Sequence, residues 1–250
     1  MADLLSPSGQ AALRRLGVSR ALLAFDLDGT LAPLVPCREE AAIPPDTALH
    51  LQALARDWPV AVITGRRVDD ARERLGFRPR YLVGNHGAER QGCPMPGSLS
   101  RQLDACRAQL RQQAAVLREH GVELEDKGLS LALHYVCANE PEQARAWLDA
   151  QSARWGAGVR CMHGHCVLNV TPAAAPHKGH ALLSVMRHCG AERALVIGDD
   201  SNDEAAFACA PRGSVSVRIG PRSTPTRARF RLESQQQMEP LLARLVKLWQ

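Results

Sequence analysis

Three short apolar runs each stop in a cluster of carboxylates or hydroxyls, and this repeated punctuation constrains the architecture more than any other feature. Ala21 to Phe25 ends in Asp26-Leu27-Asp28-Gly29-Thr30, Pro59 to Ile63 ends in Thr64-Gly65-Arg66, and Ala194 to Ile197 ends in Gly198-Asp199-Asp200-Ser201-Asn202-Asp203-Glu204. Apolar runs without polar alternation suit parallel strands buried on both faces. Between the first two lies a helix-like stretch, Pro45 to Asp57, with Ala48, Leu49, Leu51, Ala53, Leu54 and Ala55 on one broad face. Strands alternating with helices predict a doubly wound parallel sheet, an α/β fold whose ligands bind outside the carboxyl ends of the strands. All three polar clusters sit at such ends.

The middle of the chain follows a different pattern. A Pro/Gly-rich turn is expected at residues 92–97, then a long polar helix from Leu103 to His120, strands around 122–127 and 129–136, a second helix from Pro141 to Trp155, and a strand over Val159 to Val170. The expectation is an inserted α/β cap domain over residues 90–165, with the core domain formed by residues 1–89 and 166–250. At 250 residues the chain is long enough for both.

Two aspartates one residue apart at a strand end place one carboxylate and one backbone carbonyl at a common point, with the second carboxylate beside them. That donor set suits a hard Mg²⁺ ion. Asp26 is then placed to attack phosphorus, and Asp28 to protonate the leaving oxygen and later activate water. Phosphoryl transfer further calls for converging cations and donors, for which Thr64 and Lys178 are the candidates. Asp199 would add a metal oxygen to those of Asp26 and Asp28, with Asp200 or Asp203 orienting Lys178 or a metal-bound water. Each cluster alone fits ordinary turn residues after a strand. The four in order fit that description poorly.

These motifs, DLDGT at 26–30, Thr64, Lys178 and GDDSND at 198–203, resemble the haloacid dehalogenase superfamily. The resemblance implies a Rossmann-like core, Mg²⁺ and an aspartyl-phosphate intermediate. An insertion between the second and third motifs looks like the C2 type of cap. The finer pattern, DLDGTLAPLVP at 26–36, ITGRRVDDARERLG at 63–76, YLVGNHGAE at 81–89, LEDKGLSLALHY at 124–135, HKGHAL at 177–182 and IGDDSNDEAAF at 197–207, is similar to the trehalose-6-phosphate phosphatase family. It extends over nearly the whole chain from about residue 20. That likeness implies a phosphosugar substrate, with Glu125 and Lys127 on sugar hydroxyls, Gly65, Arg66, Asn85 and His86 lining the entrance, and Asn169 nearby. The chain departs from the family where Asn169 replaces a common acidic residue, where Val136 replaces Arg after His-Tyr, and at Asn202. Sucrose phosphate or a glycosyl-phosphoglycerate is therefore the alternative substrate.

Other function classes find less support. The net charge of +5 comes from 31 Lys and Arg spread along the chain, not from the clustered patch of a nucleic-acid binder, and aromatic residues are only 4% of the chain, too few for a stacking platform. A non-catalytic binding domain of the same fold would be expected to lack Asp26, Asp28 or Lys178, and all are present. No apolar stretch approaches membrane-spanning length and the N-terminus lacks a signal-like apolar core, so a cytoplasmic monomer with no membrane partner is expected. The eight cysteines are then expected mostly as free thiols. The run Cys161-Met-His163-Gly-His165-Cys166 reads as strand and turn, because it lacks paired metal-ligand spacing.

Overall fold

The computed structural model describes residues 2–93 and 97–249. It divides into two compact units, one built from both ends of the chain, up to Gln91 and from Pro176 onward, and one from Gly92–Ala175. The first opens with β1 (Ala2–Asp3), α1 (Pro7–Gly17), β2 (Ala21–Phe25), α2 (Pro45–Asp57), β3 (Val60–Ile63), α3 (Val68–Arg74), β4 (Tyr81–Gly84) and β5 (Glu89–Arg90). The inserted unit contributes α4 (Gly97–Arg101), α5 (Asp104–Gln112), α6 (Ala114–Glu119), β6 (Glu123–Asp126), β7 (Leu131–His134), α7 (Pro141–Ser152), β8 (Val159–Gly164) and β9 (Val167–Pro172). The first unit resumes with α8 (Lys178–Cys189), β10 (Arg193–Gly198), α9 (Glu204–Cys209), β11 (Val215–Ile219), β12 (Phe230–Leu232) and α10 (Met238–Trp249).

The first unit is an eight-stranded sheet in the order β1-β12-β11-β10-β2-β3-β4-β5. Its pairings are parallel except for β4 with β5. From β2 the chain builds one side through β3 and β4, then returns on the other side through β10, so the carboxyl ends of β2 and β10 meet where strand order reverses. Open α/β sheets bind ligands at that point. Every residue of β2 is buried, and its alternate side chains feed two cores. Leu23 and Phe25 join Leu13, Leu16, Leu51, Leu54, Leu241 and Leu245 on the face covered by α1, α2 and α10. Leu22 and Ala24 join Leu182, Val185 and Phe207 on the face covered by α8 and α9. Burial on both faces explains why β2 reads as an unbroken apolar run.

Helix α8 starts where it does because the His177 ring caps it. Nδ1 accepts from the Gly179 N–H at 3.1 Å and the His180 N–H at 3.4 Å, satisfying donors that the first helical turn leaves open. That fixes Lys178 as the first helical residue.

The inserted unit is a four-stranded sheet in the order β6-β7-β9-β8 with antiparallel pairings. Leu131, Leu133, Leu168 and Val170 pack with Leu110, Leu117, Ala144 and Leu148 of its helices and with Leu103 just ahead of α5. The opposite face carries Glu125, Ala132, Asn169 and Met162 in one cross-strand row. Three expectations need correction here. The strand expected over 159–170 is a hairpin, turning at Cys166 with φ +50°. The helix expected over 103–120 is interrupted at Gln113, whose φ/ψ of −96°/15° lies outside the α region. The return to the core expected at residue 166 comes at Pro176 instead, because β9 pairs on both sides within the second sheet. The turn expected at 92–97 lies partly outside the described residues. No helix among the described residues is long and apolar enough to cross a membrane.

Candidate active site

Asp26 follows the last residue of β2, and its N–H donates to Ile197 O of β10 at 3.0 Å, which ties the two strand ends together. Its carboxylate is held on both oxygens: Oδ1 accepts the Leu27 N–H at 2.7 Å, and Oδ2 lies 2.8 Å from Lys178 Nζ. Lys178 Nζ also donates to Asp203 Oδ1 at 2.8 Å. Asp203 Oδ2 in turn accepts the N–H groups of Asp199 and Asp200 at 3.1 and 3.0 Å. These three side chains are 2–8% exposed, so the charges interact with little screening by water. Thr30 Oγ1 donates to Asp199 Oδ1 at 3.1 Å. Gly29, at φ +73°, leaves no room for a Cβ, which would collide with the Asp199 carboxylate.

The electrostatics follow from this crowding. Burial pushes Asp26 well above the usual carboxylate range; Lys178 opposes the shift while Asp203 and Asp199 add to it. Burial, with Asp203 and Asp200 nearby, raises Asp199 to about 7. Asp200 is raised mainly by burial as well. Burial alone would depress Lys178, yet Asp203 and Asp26 outweigh it and raise the amine. Oxygen ligands of Asp26, Asp199 and Asp203 lie within 4.8 Å of one another. Three close carboxylates against one buried ammonium form the donor set that a divalent cation fits. Asp203 accepts three of these hydrogen bonds, Asp26 is held on both oxygens, and Asp199 accepts one from Thr30, so the oxygens of Asp203 are the most committed of the three.

The carboxylate of Asp28 lies elsewhere. Arg66 grips it with both arms of its fork, Nε to Oδ2 at 2.8 Å and Nη2 to Oδ1 at 2.7 Å, and also donates to Asp70 Oδ2 at 2.9 Å and Arg38 O at 2.9 Å. Burial would lower the guanidinium's pKa, but Asp28 and Asp70 raise it. Thr64 is fully buried. Its Oγ1 accepts the Arg66 N–H at 3.2 Å, leaving the hydroxyl proton for another acceptor. Asn85 and His86 both adopt positive φ, 48° and 57°. Asn85 has no exposed surface and donates Nδ2 to Glu89 at 2.7 Å, while the same Glu89 oxygen caps α3 at the Val68 N–H at 3.0 Å. That bond makes Asn85 the anchor of a turn in which two successive residues hold positive φ. Gly65 makes space for a ring, since a Cβ there would stand 2.5 Å from His86 Cε1.

Within the inserted unit, Glu125 Oε2 lies 2.9 Å from His134 Nε2 and 3.6 Å from Lys127 Nζ. Asn169 is buried on β9, in the cross-strand row of Glu125. Glu89, His134 and the Arg66–Asp28 pair escaped sequence reasoning. The i, i+4 spacing of Asn85 and Glu89 about a glycine-rich turn was the signal available for the first.

A parallel sheet with an acidic cluster at its strand-reversal point and an inserted cap unit defines a phosphatase core of the haloacid dehalogenase class. The trehalose-phosphatase family model matches residues 24–236, and the chain belongs to that family. A probable trehalose-phosphate phosphatase of Sinorhizobium fredii is 32% identical over 238 residues, covering 90% of this chain and 88% of that protein. The trehalose-6-phosphate phosphatase of Escherichia coli is 32% identical over 221 residues, covering 83% and 80%. The C-terminal domain of the trehalose-6-phosphate phosphatase of C. albicans superposes with a TM-score of 0.81 over 95% of this chain and 96% of that one, at 22% identity, which speaks for the fold. The resemblance read from the motifs and the doubly wound α/β fold expected from them both hold.

Proposed function

We propose that this chain hydrolyses trehalose 6-phosphate to trehalose and phosphate, with Asp26 as the nucleophile. The observation that carries the reading is the buried Asp26–Lys178–Asp203 chain beside Asp199, at the point where strand order reverses. An Asp26 oxygen forms the bond to phosphorus while the ester oxygen departs with a proton from Asp28. Asp28 then takes a proton from the water that hydrolyses the aspartyl-phosphate. For both transfers Asp28 has to leave the Arg66 fork, which makes Arg66 a control on Asp28. Lys178 and the Thr64 hydroxyl hold the phosphate oxygens in line. Asp26, Asp199 and the Asp28 carbonyl would hold Mg²⁺, which would supply the positive charge a carboxylate needs to approach a phosphate dianion.

Within the inserted unit, sugar hydroxyls fall to Glu125 and Lys127, with Asn169 in the cross-strand row of Glu125. The family names of relatives across most of the chain support this substrate. A cytoplasmic monomer acting on a soluble phosphosugar, without nucleic acid or membrane, accords with the dispersed charge. The test is Mg²⁺-dependent phosphate release from trehalose 6-phosphate, glucose 6-phosphate, sucrose 6-phosphate and a glycosyl-phosphoglycerate. Strong preference for the first sustains the reading. Preference for another ester leaves the Asp26 chemistry standing and removes the trehalose assignment, with Asn169 and Val136 as the residues to revert.

A further inference from the structure

The turn that carries Lys127 is held from behind by a single guanidinium. Arg107 of α5 is 11% exposed and uses all five of its N–H groups. Nε and Nη2 donate to the two Asp126 oxygens at 2.8 and 3.2 Å, and Nη2 also donates to Gly128 O at 2.6 Å. Nη1 donates to Ser100 O at 2.7 Å and Asp104 Oδ1 at 2.8 Å. Asp126 Oδ1 closes the turn by accepting the Gly128 N–H at 2.9 Å, and Gly128 takes φ +80°. The residues on both sides of Lys127 are therefore tied to one group on a neighbouring helix. Side chains alternate along the strand, so Asp126 turns toward Arg107 while Lys127 turns the other way, to Glu125 at 3.6 Å.

We infer that Arg107 is a positioning residue for substrate selection: by clamping Asp126 and Gly128 it fixes where Lys127 and Glu125 meet the sugar. The inference rests on the proposed sugar-binding role of those two side chains. Arg107 touches no substrate and serves no chemical step. A lysine could not replace it, because three donors on one rotating ammonium cannot span a carboxylate and two carbonyls at once.

The experiment is a double-mutant cycle of Arg107→Gln with Lys127→Ala, assayed on trehalose 6-phosphate and on para-nitrophenyl phosphate, with melting curves for each variant. Arg107→Gln is expected to raise KM for trehalose 6-phosphate about tenfold, with kcat changed less than about twofold, as for lost uniform binding. Its hydrolysis of the aryl ester should be unchanged. On the Lys127→Ala background, the same substitution should add less than about threefold, because both act through one contact. Arg107→Lys and Asp126→Asn should reproduce the KM effect, and they carry the test if Arg107→Gln does not fold. A folded variant with normal KM, or an effect that multiplies fully with Lys127→Ala, overturns the clamp. An unchanged KM in Lys127→Ala instead overturns the sugar reading itself, so the two failures are distinguishable.

Discussion

Two charged clusters in this chain differ in how far water reaches their carboxylates. At the end of β2, Asp26, Lys178 and Asp203 are 2–8% exposed and interlocked at 2.8 Å, with backbone N–H groups completing the set. In the inserted sheet, Glu125 and His134 are 27% and 22% exposed, and Lys127, itself 8% exposed, stands at 3.6 Å from Glu125. The first cluster cannot lose a member without stranding a charge in a low-dielectric interior. In the second, Glu125 and His134 keep part of their side-chain surface open to water, which screens their charge. Buried charge suits a reaction whose geometry is fixed by phosphorus; charge open to water suits recognition of a sugar that must enter and leave.

The sharpest break of that contrast comes from Lys178→Met. Turnover should fall by at least about a thousandfold, as expected when a positioned cation is removed from phosphoryl transfer. Stability should also fall by about 3–5 kcal/mol, because Asp26 and Asp203 keep their burial and lose their partner. Chemical denaturation beside a phosphate-release assay reads both. A variant with native stability would show that the three charges are not coupled. Asp26→Asn, by comparison, should abolish turnover with the fold retained; substantial residual activity would remove it as nucleophile.

Asp199→Asn should separate stability from function within the same cluster. Burial, with Asp203 and Asp200 beside it, disfavours the Asp199 carboxylate and raises its pKa to about 7, so above that pH, without Mg²⁺, the neutral variant should be more stable than the parent by about 1 kcal/mol. Thr30 can still donate to the amide oxygen. The rise in melting temperature produced by Mg²⁺ in the parent should largely disappear, since ligand stabilisation scales with occupancy. An undiminished Mg²⁺ effect would exclude Asp199 as a ligand.

In the more exposed cluster the same kind of substitution should move a different quantity. Lys127→Ala is expected to raise KM for trehalose 6-phosphate by about tenfold to a hundredfold, with a much smaller drop in stability. Equal losses in KM and melting temperature would make the two clusters alike in design and remove the contrast.

What the sequence revealed follows the same division. The run Ala21–Phe25 is β2 residue for residue and Pro45–Asp57 is α2 residue for residue, because burial on two faces or one helical face leaves a local pattern. Catalytic candidates could be read because each stands at such an element's end. The Arg66–Asp28 fork spans 38 residues and the Lys178–Asp203 pair 25, and long-range pairings of this kind leave no periodicity. The insertion was harder still. Its hairpin turn at Cys166 lacks the usual glycine or asparagine for a positive φ, so β8 and β9 read as one strand and the boundary shifted with them.

Asn169 offers the smallest and most discriminating change. It is buried in the cross-strand row of Glu125. Asn169→Asp keeps the volume and exchanges a donor for a second acceptor. A sugar hydroxyl donating there would gain a charge-assisted bond, so KM for trehalose 6-phosphate should fall by about twofold to fivefold, within the range such bonds add. Stability without sugar should drop slightly, since the carboxylate is buried before its partner arrives. A lower KM with lower stability places position 169 against the sugar; lower stability with unchanged KM makes it a sheet residue only, and leaves selection to Glu125 and Lys127.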